Sequence, residues 1–125
     1  MKEIIQTPNA PAPIGCYSPA IRIGKTIFFS GQIPLDPKTM TIASDDIRSQ
    51  VIQVFENIKA ICLAAGGDLN DIVKLTVYLI DIANGIIINE VMKDFFTEPY
   101  PARTMIAVVA LPKNALVEIE AIMSL

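Results

Sequence analysis

The sequence predicts an α+β domain, a mixed sheet of about six strands with two helices covering one of its faces. Three observations predict it. Short apolar blocks of strand length occur near both ends of the chain and once in the middle, apolar spacing turns helical in two places, and the blocks run strand, strand, strand, helix, strand, helix, strand, strand. At 125 residues the chain makes a single domain, 1–125, with one core.

Each element has a local reason. "KEIIQ" is the first strand, and the loop "TPNAPAPIGCYSPA" after it runs extended because each proline biases its predecessor away from helix. "AIRIGKTIFFSGQI" reads as two strands joined by a tight turn at Gly24 and Lys25, the second stopped at Ser30-Gly31. From Ser44 the period is helical: Ile47, Val51, Val54, Phe55, Ile58, Ile61, Cys62 and Ala65 recur on one face. Ser44 is the expected N-cap, Asp45 and Asp46 favour the positive end of the helix dipole, and Gly66-Gly67 supplies the stop. "DIVKLTVYLID" is a strand apolar at nearly every position, which predicts cover on both faces. Asp81 after it reads as a helix cap rather than an acid catalyst. A second helix is expected from Asn84 to Phe96, with Ile87, Val91 and Phe95 on one face, until "EPYPA" breaks it and the last two strands follow.

Composition narrows the function. Residues are 52% hydrophobic and only 18% charged, too few polar side chains to coat a small monomer, so apolar surface is expected to meet other copies of the chain. The sheet face without helices is the natural place for it. A net charge of −3 with no basic stripe disfavours nucleic acid as a partner. The N-terminus lacks the apolar core of a signal peptide, and the longest apolar run, "TMIAVVALP", falls short of the roughly 18 residues of a spanning helix. A cytoplasmic protein with no membrane partner is expected. Cys16 and Cys62 read as free thiols, and Cys62 as core. The absence of histidine removes Ser-His and Cys-His nucleophiles, and with only two cysteines no metal site is expected.

The charges inside the last two strands stand out. Alternation puts Arg103, Met105 and Ala107 on one face of the first, and Leu116, Glu118 and Glu120 on one face of the second. Taking "LPKN" as a hairpin loop, both charged sets can face the same way, with Arg103 about 13 Å along the strand from the position opposite Glu118. Two readings stay open. In one, Arg103 pairs with Glu120 or with an acid of another subunit, since a buried guanidinium is tolerated only when paired, or else the glutamates are simply exposed at an edge. In the other, the gap holds a small anion and a water, the guanidinium clamping the anion and Glu118 activating the water. A carboxylate base alone suits an easy hydrolysis and not amides or phosphodiesters.

These residues carry a resemblance. "IGCYSPA", "FFSGQIPLDPKT", "QVFENIKAICLAAGGDLNDIVKLTVYLID", Phe95-Phe96, "PARTMIAV" and "LPKNALVEIEAI", in this order over almost the whole chain, resemble the RidA family, also called YjgF. The most specific part is Pro101-Ala102-Arg103 followed at this spacing by Val117-Glu118-Ile119. The resemblance implies a chorismate-mutase-like fold assembled as a homotrimer, with sites in the clefts between subunits. It implies hydrolysis of 2-imino acids, the enamine/imine products of pyridoxal-phosphate dehydratases, to 2-keto acids and ammonia without a cofactor. It places Arg103 on the substrate carboxylate, Glu118 on the attacking water and Tyr17 in the loop closing the cleft, with Ser30, Gly31 and Asn89 lining the pocket.

Met105 stands where the family often has cysteine, so a thiol role is excluded while backbone contacts remain. Gly85 replaces a bulky, often aromatic side chain, a change expected to enlarge the pocket or loosen its lid, and Cys16 replaces a common proline. Each residue also has a plainer reading: Tyr17 as interface packing, Ser30-Gly31 as a strand end, Asn89 as an exposed polar position. An alternative function is a keto-acid-binding regulatory trimer without catalysis. Nucleic acid cleavage fits least, given the acidity and the missing histidine.

Overall fold

The computed structural model describes residues 1–125. Six strands form the main sheet: β1 (Glu3–Ile5), β2 (Ala20–Ile23), β3 (Thr26–Gln32), β6 (Ile72–Leu79), β7 (Ala102–Ala107) and β8 (Val117–Ser124). Their spatial order is β1-β2-β3-β8-β6-β7, antiparallel throughout except for the parallel pair β6–β7. A two-stranded ribbon, β4 (Leu35–Asp36) with β5 (Thr41–Ile42), is an addition that the apolar pattern did not announce. It is too short for alternation to register. Helices α1 (Ile47–Ala64) and α2 (Gly85–Phe95) pack on one face of the sheet.

The helix ends follow from local chemistry. Asp46, not Ser44, is the N-cap of α1: its carboxylate accepts the Ser49 amide at 3.0 Å, while the Ser44 hydroxyl accepts the Asp46 amide. Three oxygen-bearing side chains in a row made the choice ambiguous, and the one spaced to reach the third helical amide wins. At the other end Gly66 takes φ +91°, which lets the Gly67 amide return to the Cys62 carbonyl at 3.0 Å. The buried stripe of α2 is Ile88, Val91 and Met92, rotated from the expected Ile87, Val91 and Phe95, which leaves Ile87 and Phe95 at its margins. Asp81 does cap, although the turn it caps is the short 3-10 segment Ile82–Asn84 before α2.

Strand pairing corrects the expected hairpin. β7 runs beside β6 in parallel, with Leu75 opposite Arg103 and Val77 opposite Met105, while β8 lies antiparallel on the other edge of β6, with Tyr78 opposite Glu118 and Thr76 opposite Glu120. The cause is α2, which makes β6-α2-β7 a crossover unit and so sets β7 parallel to its predecessor. Segment 108–116 then carries the chain across the end of β6.

The core fills the space between helices and sheet. Phe55 of α1 is fully buried, its ring 5.5 Å from Phe95 and 5.4 Å from Phe96. Leu75, Val77 and Leu79 of β6 meet Val117, Ile119 and Met123 of β8 beneath it. The expectation that β6 is covered on both faces fails within one chain, where Lys74, Thr76 and Tyr78 on its other side are only half-buried. That open face continues through Phe28, 48% exposed, and Ile106, 43% exposed. Truncating the core ring, Phe55→Ala, is expected to lower unfolding free energy by about 3–5 kcal/mol. Urea titration of both proteins checks it.

Candidate functional site

The structure sorts the predicted residues into two groups, one on each face of the sheet. The first gathers around Glu118. In the β3–β8 ladder Phe29 is opposite Ala121 and Gln32 opposite Ile119, so β3 carries one extra residue at Ser30-Gly31. These residues therefore form a bulge inside the strand rather than its end, the kind of irregularity that re-aims backbone beside a site. A Cβ at Gly31 would stand 2.2 Å from Oε2 of Glu118, so a side chain there would displace the carboxylate from its position against the bulge.

Ser30 ties the proline-rich loop to this bulge, its Oγ donating to the Ser18 carbonyl at 2.6 Å and its amide to the Pro19 carbonyl at 2.9 Å. Tyr17 follows in that loop, 47% exposed, its hydroxyl accepting the Ile14 amide at 3.2 Å. Together with Pro11, Ile14 and Pro112 they line a cavity of about 440 Å³ into which Glu118 projects. Burial, and after it the charge of Glu120, raises the Glu118 carboxyl above its ordinary value.

The second group surrounds Arg103 on the helix-covered face. Its Nη1 donates to Oδ1 of Asn89 at 2.7 Å and lies 3.3 Å from Sδ of Met92, both on α2. No carboxylate pairs with it; the chain's ion pair is Arg48 with Glu90. A second cavity, about 470 Å³, is lined by Asn89, Met92, Lys93, Tyr100, Pro101 and Arg103. Met105, two residues along β7, reaches back over the first turn of α2, where a Cβ at Gly85 would stand 2.6 Å from its Cε. The expected enlargement at Gly85 is thus offset, because the methionine side chain occupies the space that glycine leaves.

Arg103 and Glu118 do not face the same way. Arg103 shares the side of Leu75, Val77 and Ile119, whereas Glu118 shares the side of Tyr78. The expected gap between them across a hairpin does not exist in one chain. The physical reason is alternation: pairing both strands with β6 sets Glu118 one residue out of phase with Arg103, and one residue reverses the face. The expected pairing of Arg103 with Glu120 is also absent, since Glu120 accepts a hydrogen bond from Tyr78.

The family described as Endoribonuclease L-PSP matches residues 7–124. The chain belongs to this family, RidA or YjgF. Among RidA relatives, a RutC family protein of Pyrococcus horikoshii is 55% identical over 98% of this chain and 97% of its own. A protein of Dermatophagoides farinae named 2-iminobutanoate/2-iminopropanoate deaminase is 45% identical over 97% of this chain and 95% of its own. The crystal structure of Escherichia coli TdcF with bound serine superposes with a TM-score of 0.93 at 43% identity, covering 98% of each chain.

Sequence reasoning missed Gln50, Asn57 and Tyr78. Gln50 is buried on α1, donating to the Ser44 carbonyl at 2.9 Å and accepting the Leu116 amide at 2.8 Å, two residues before Glu118. Asn57 donates to the Leu35 carbonyl at 2.9 Å and so anchors β4. The available signal was two amides seven residues apart beside the apolar stripe of a helix. Cys62 is core as expected, its thiol pushed up to about 12 by burial first and by Asp71 next, and Cys16 is exposed. No helix is long and apolar enough to cross a membrane. Replacing Gln50 by leucine leaves the Leu116 amide and Ser44 carbonyl without partners and is expected to cost about 1–3 kcal/mol. Urea midpoints measure the loss, and faster hydrogen exchange at Leu116 locates it.

Proposed function

We propose that the protein hydrolyses 2-imino acids to 2-keto acids and ammonia, at sites built between copies of the chain in a homotrimer of chorismate-mutase-like architecture. Arg103 carries the reading. Its guanidinium is half-buried, oriented by Asn89 and without a carboxylate partner, a state that favours capture of a small carboxylate. Because Glu118 projects from the opposite face, it reaches an anion held by Arg103 only from another copy, and the exposed apolar sheet face supports such packing. Names and contents of relatives point the same way: one is a 2-iminobutanoate/2-iminopropanoate deaminase, and TdcF holds serine.

In this mechanism the planar fork of Arg103 grips the substrate carboxylate, with Met105 backbone groups at the imine end and Tyr17 closing the cleft. Glu118 takes a proton from water as the water oxygen bonds to the imine carbon and the C=N π pair settles on nitrogen. That proton then passes to the nitrogen. The C–N bond breaks as the new hydroxyl becomes the keto carbonyl, and its proton leaves with ammonia as ammonium. A protonated imine is already electrophilic, so positioning supplies most of the catalysis and no cofactor is called for. RNA cleavage, which the family description names, is poorly matched to a chain of net charge −3 without histidine. Free Cys16 and Cys62 suit the reducing cytoplasm.

Threonine dehydratase supplied with threonine generates 2-iminobutanoate, and the protein is expected to accelerate 2-ketobutyrate release. No acceleration with any imino acid, while keto acids still bind, would instead make it a binding protein. Arg103→Lys keeps the charge but loses the fork, and is expected to lower kcat/KM on the order of 100-fold. Glu118→Gln is expected to lower kcat about 100-fold or more while 2-ketobutyrate binding persists in calorimetry. Mixing the two inactive variants after subunit exchange should restore about a quarter of wild-type sites, because a cyclic trimer containing both juxtaposes one intact arginine with one intact glutamate. No recovery in mixed trimers would place both groups in one chain's site.

A further inference from the structure

Glu118 is not alone on the open face of β8. Glu120 follows it by two residues on the same side, about 7 Å along the strand. The two carboxylates have different surroundings. Glu120 accepts a hydrogen bond from the Tyr78 hydroxyl, and Tyr78 is itself the residue opposite Glu118 in the β6–β8 ladder. Glu118 has no hydrogen-bond partner, lies against the Gly31 bulge and projects into the cavity of the proline-rich loop. Two carboxyl groups this close, one capped by a phenol and one left bare, are the arrangement that separates an ionised partner from a proton carrier.

We propose that Tyr78 and Glu120 are positioning residues for Glu118: the Tyr78 hydroxyl fixes the Glu120 carboxylate beside Glu118, and that neighbouring carboxylate makes Glu118 the member of the pair that takes and returns the proton. The assignment rests on the reading of Glu118 as the base for water, which it deepens. Donation to Glu120 raises the Tyr78 hydroxyl above its ordinary value, so the phenol keeps its proton and its hydrogen bond to that carboxylate. The charge so fixed on Glu120 opposes ionisation of Glu118, adding to burial. A more basic carboxylate is the better acceptor for a proton from water at neutral pH.

The groups facing Glu118 are few. From β6 comes Tyr78, from β8 Glu120, and from the loop the Tyr17 hydroxyl; β3 offers only Ser30, Gly31 and Gln32. No lysine or arginine of the same chain lines its cavity; the cation on the same open face is Lys74 of β6, opposite Ile122 and two residues from Thr76, the partner of Glu120, with its Nζ donating to the Thr104 hydroxyl at 2.7 Å. In the proposed assembly the neighbour's Arg103 approaches too, but it is engaged by the substrate carboxylate during turnover.

The test follows the Glu118 side-chain carboxyl by carbon-13 NMR, assigned by its disappearance in Glu118→Gln, across pH in wild type, Glu120→Gln and Tyr78→Phe. In Glu120→Gln the Glu118 midpoint is expected to move to lower pH, and the acidic limb of kcat/KM to move with it. In Tyr78→Phe the Glu118 midpoint is expected to move in the same direction, because Glu120 loses the phenol that fixes its carboxylate beside Glu118. Glu120→Gln is nearly isosteric, and unchanged amide spectra elsewhere show that the fold is kept. A Glu118 midpoint that stays in place in both variants overturns the inference, whatever the activity. If the midpoint moves but wild type hydrolyses no imino acid, the coupling stands as carboxylate chemistry while the deaminase reading fails.

Discussion

Successive residues of a strand point to opposite faces of its sheet, and that constraint, carried from β6 to both of its neighbours, separates Arg103 from Glu118. Arg103 is opposite Leu75 and points at the helices; Glu118 is opposite Tyr78 and points away from them. Each then acquires the environment its face offers. The guanidinium receives the amide oxygen of Asn89 and the sulfur of Met92, while the carboxylate receives a glycine bulge and a proline-rich loop. Under the proposed function, an edge strand bearing Arg103 and an open face bearing Glu118 are what would bring a second copy of the chain into the site.

The same division explains how the fold supports each half-site. Behind Glu118, the structure is rigidified by buried polar side chains of α1. Gln50 holds Leu116 and Asn57 holds Leu35, so the segments on either side of the cavity hang from one helix. A polar group placed in the core and fully bonded is stabilising and fixes position, whereas the same group unpaired would be costly. Around Arg103 the support is α2, through Asn89 and Met92, and at the start of that helix the notable pair is Gly85 with Met105. A residue without a side chain and one with a long flexible side chain meet, and the space is filled from the strand rather than from the helix. Beside Arg103 this leaves a pliable thioether wall, since methionine rotates more freely than an aromatic ring.

Much of this was legible in the sequence. Element types and order came from the switch between apolar periods; the Gly24-Lys25 turn, the Gly66-Gly67 stop and the Asp81 cap came from residues whose chemistry is local. Cap choice at α1 was misread because Ser44 and Asp46 are both competent and only geometry ranks them. The rotation of the α2 stripe was misread because Ile86, Ile87 and Ile88 are adjacent and identical, so periodicity has nothing to choose between.

The sequence by itself determined which residues carry charge inside apolar strands, that no histidine is present, and that charged residues are few beside apolar ones. Tertiary structure alone decided the partners of the strands. Whether β8 pairs with β7 or with β6 changes no residue's local preference, because both alignments bury an apolar row and satisfy the backbone. The deciding energy lies in packing α2 over the β6–β7 crossover and in closing the core around Phe55, contacts between segments distant in the chain. Facing direction follows from that choice, and with it the separation of Arg103 from Glu118.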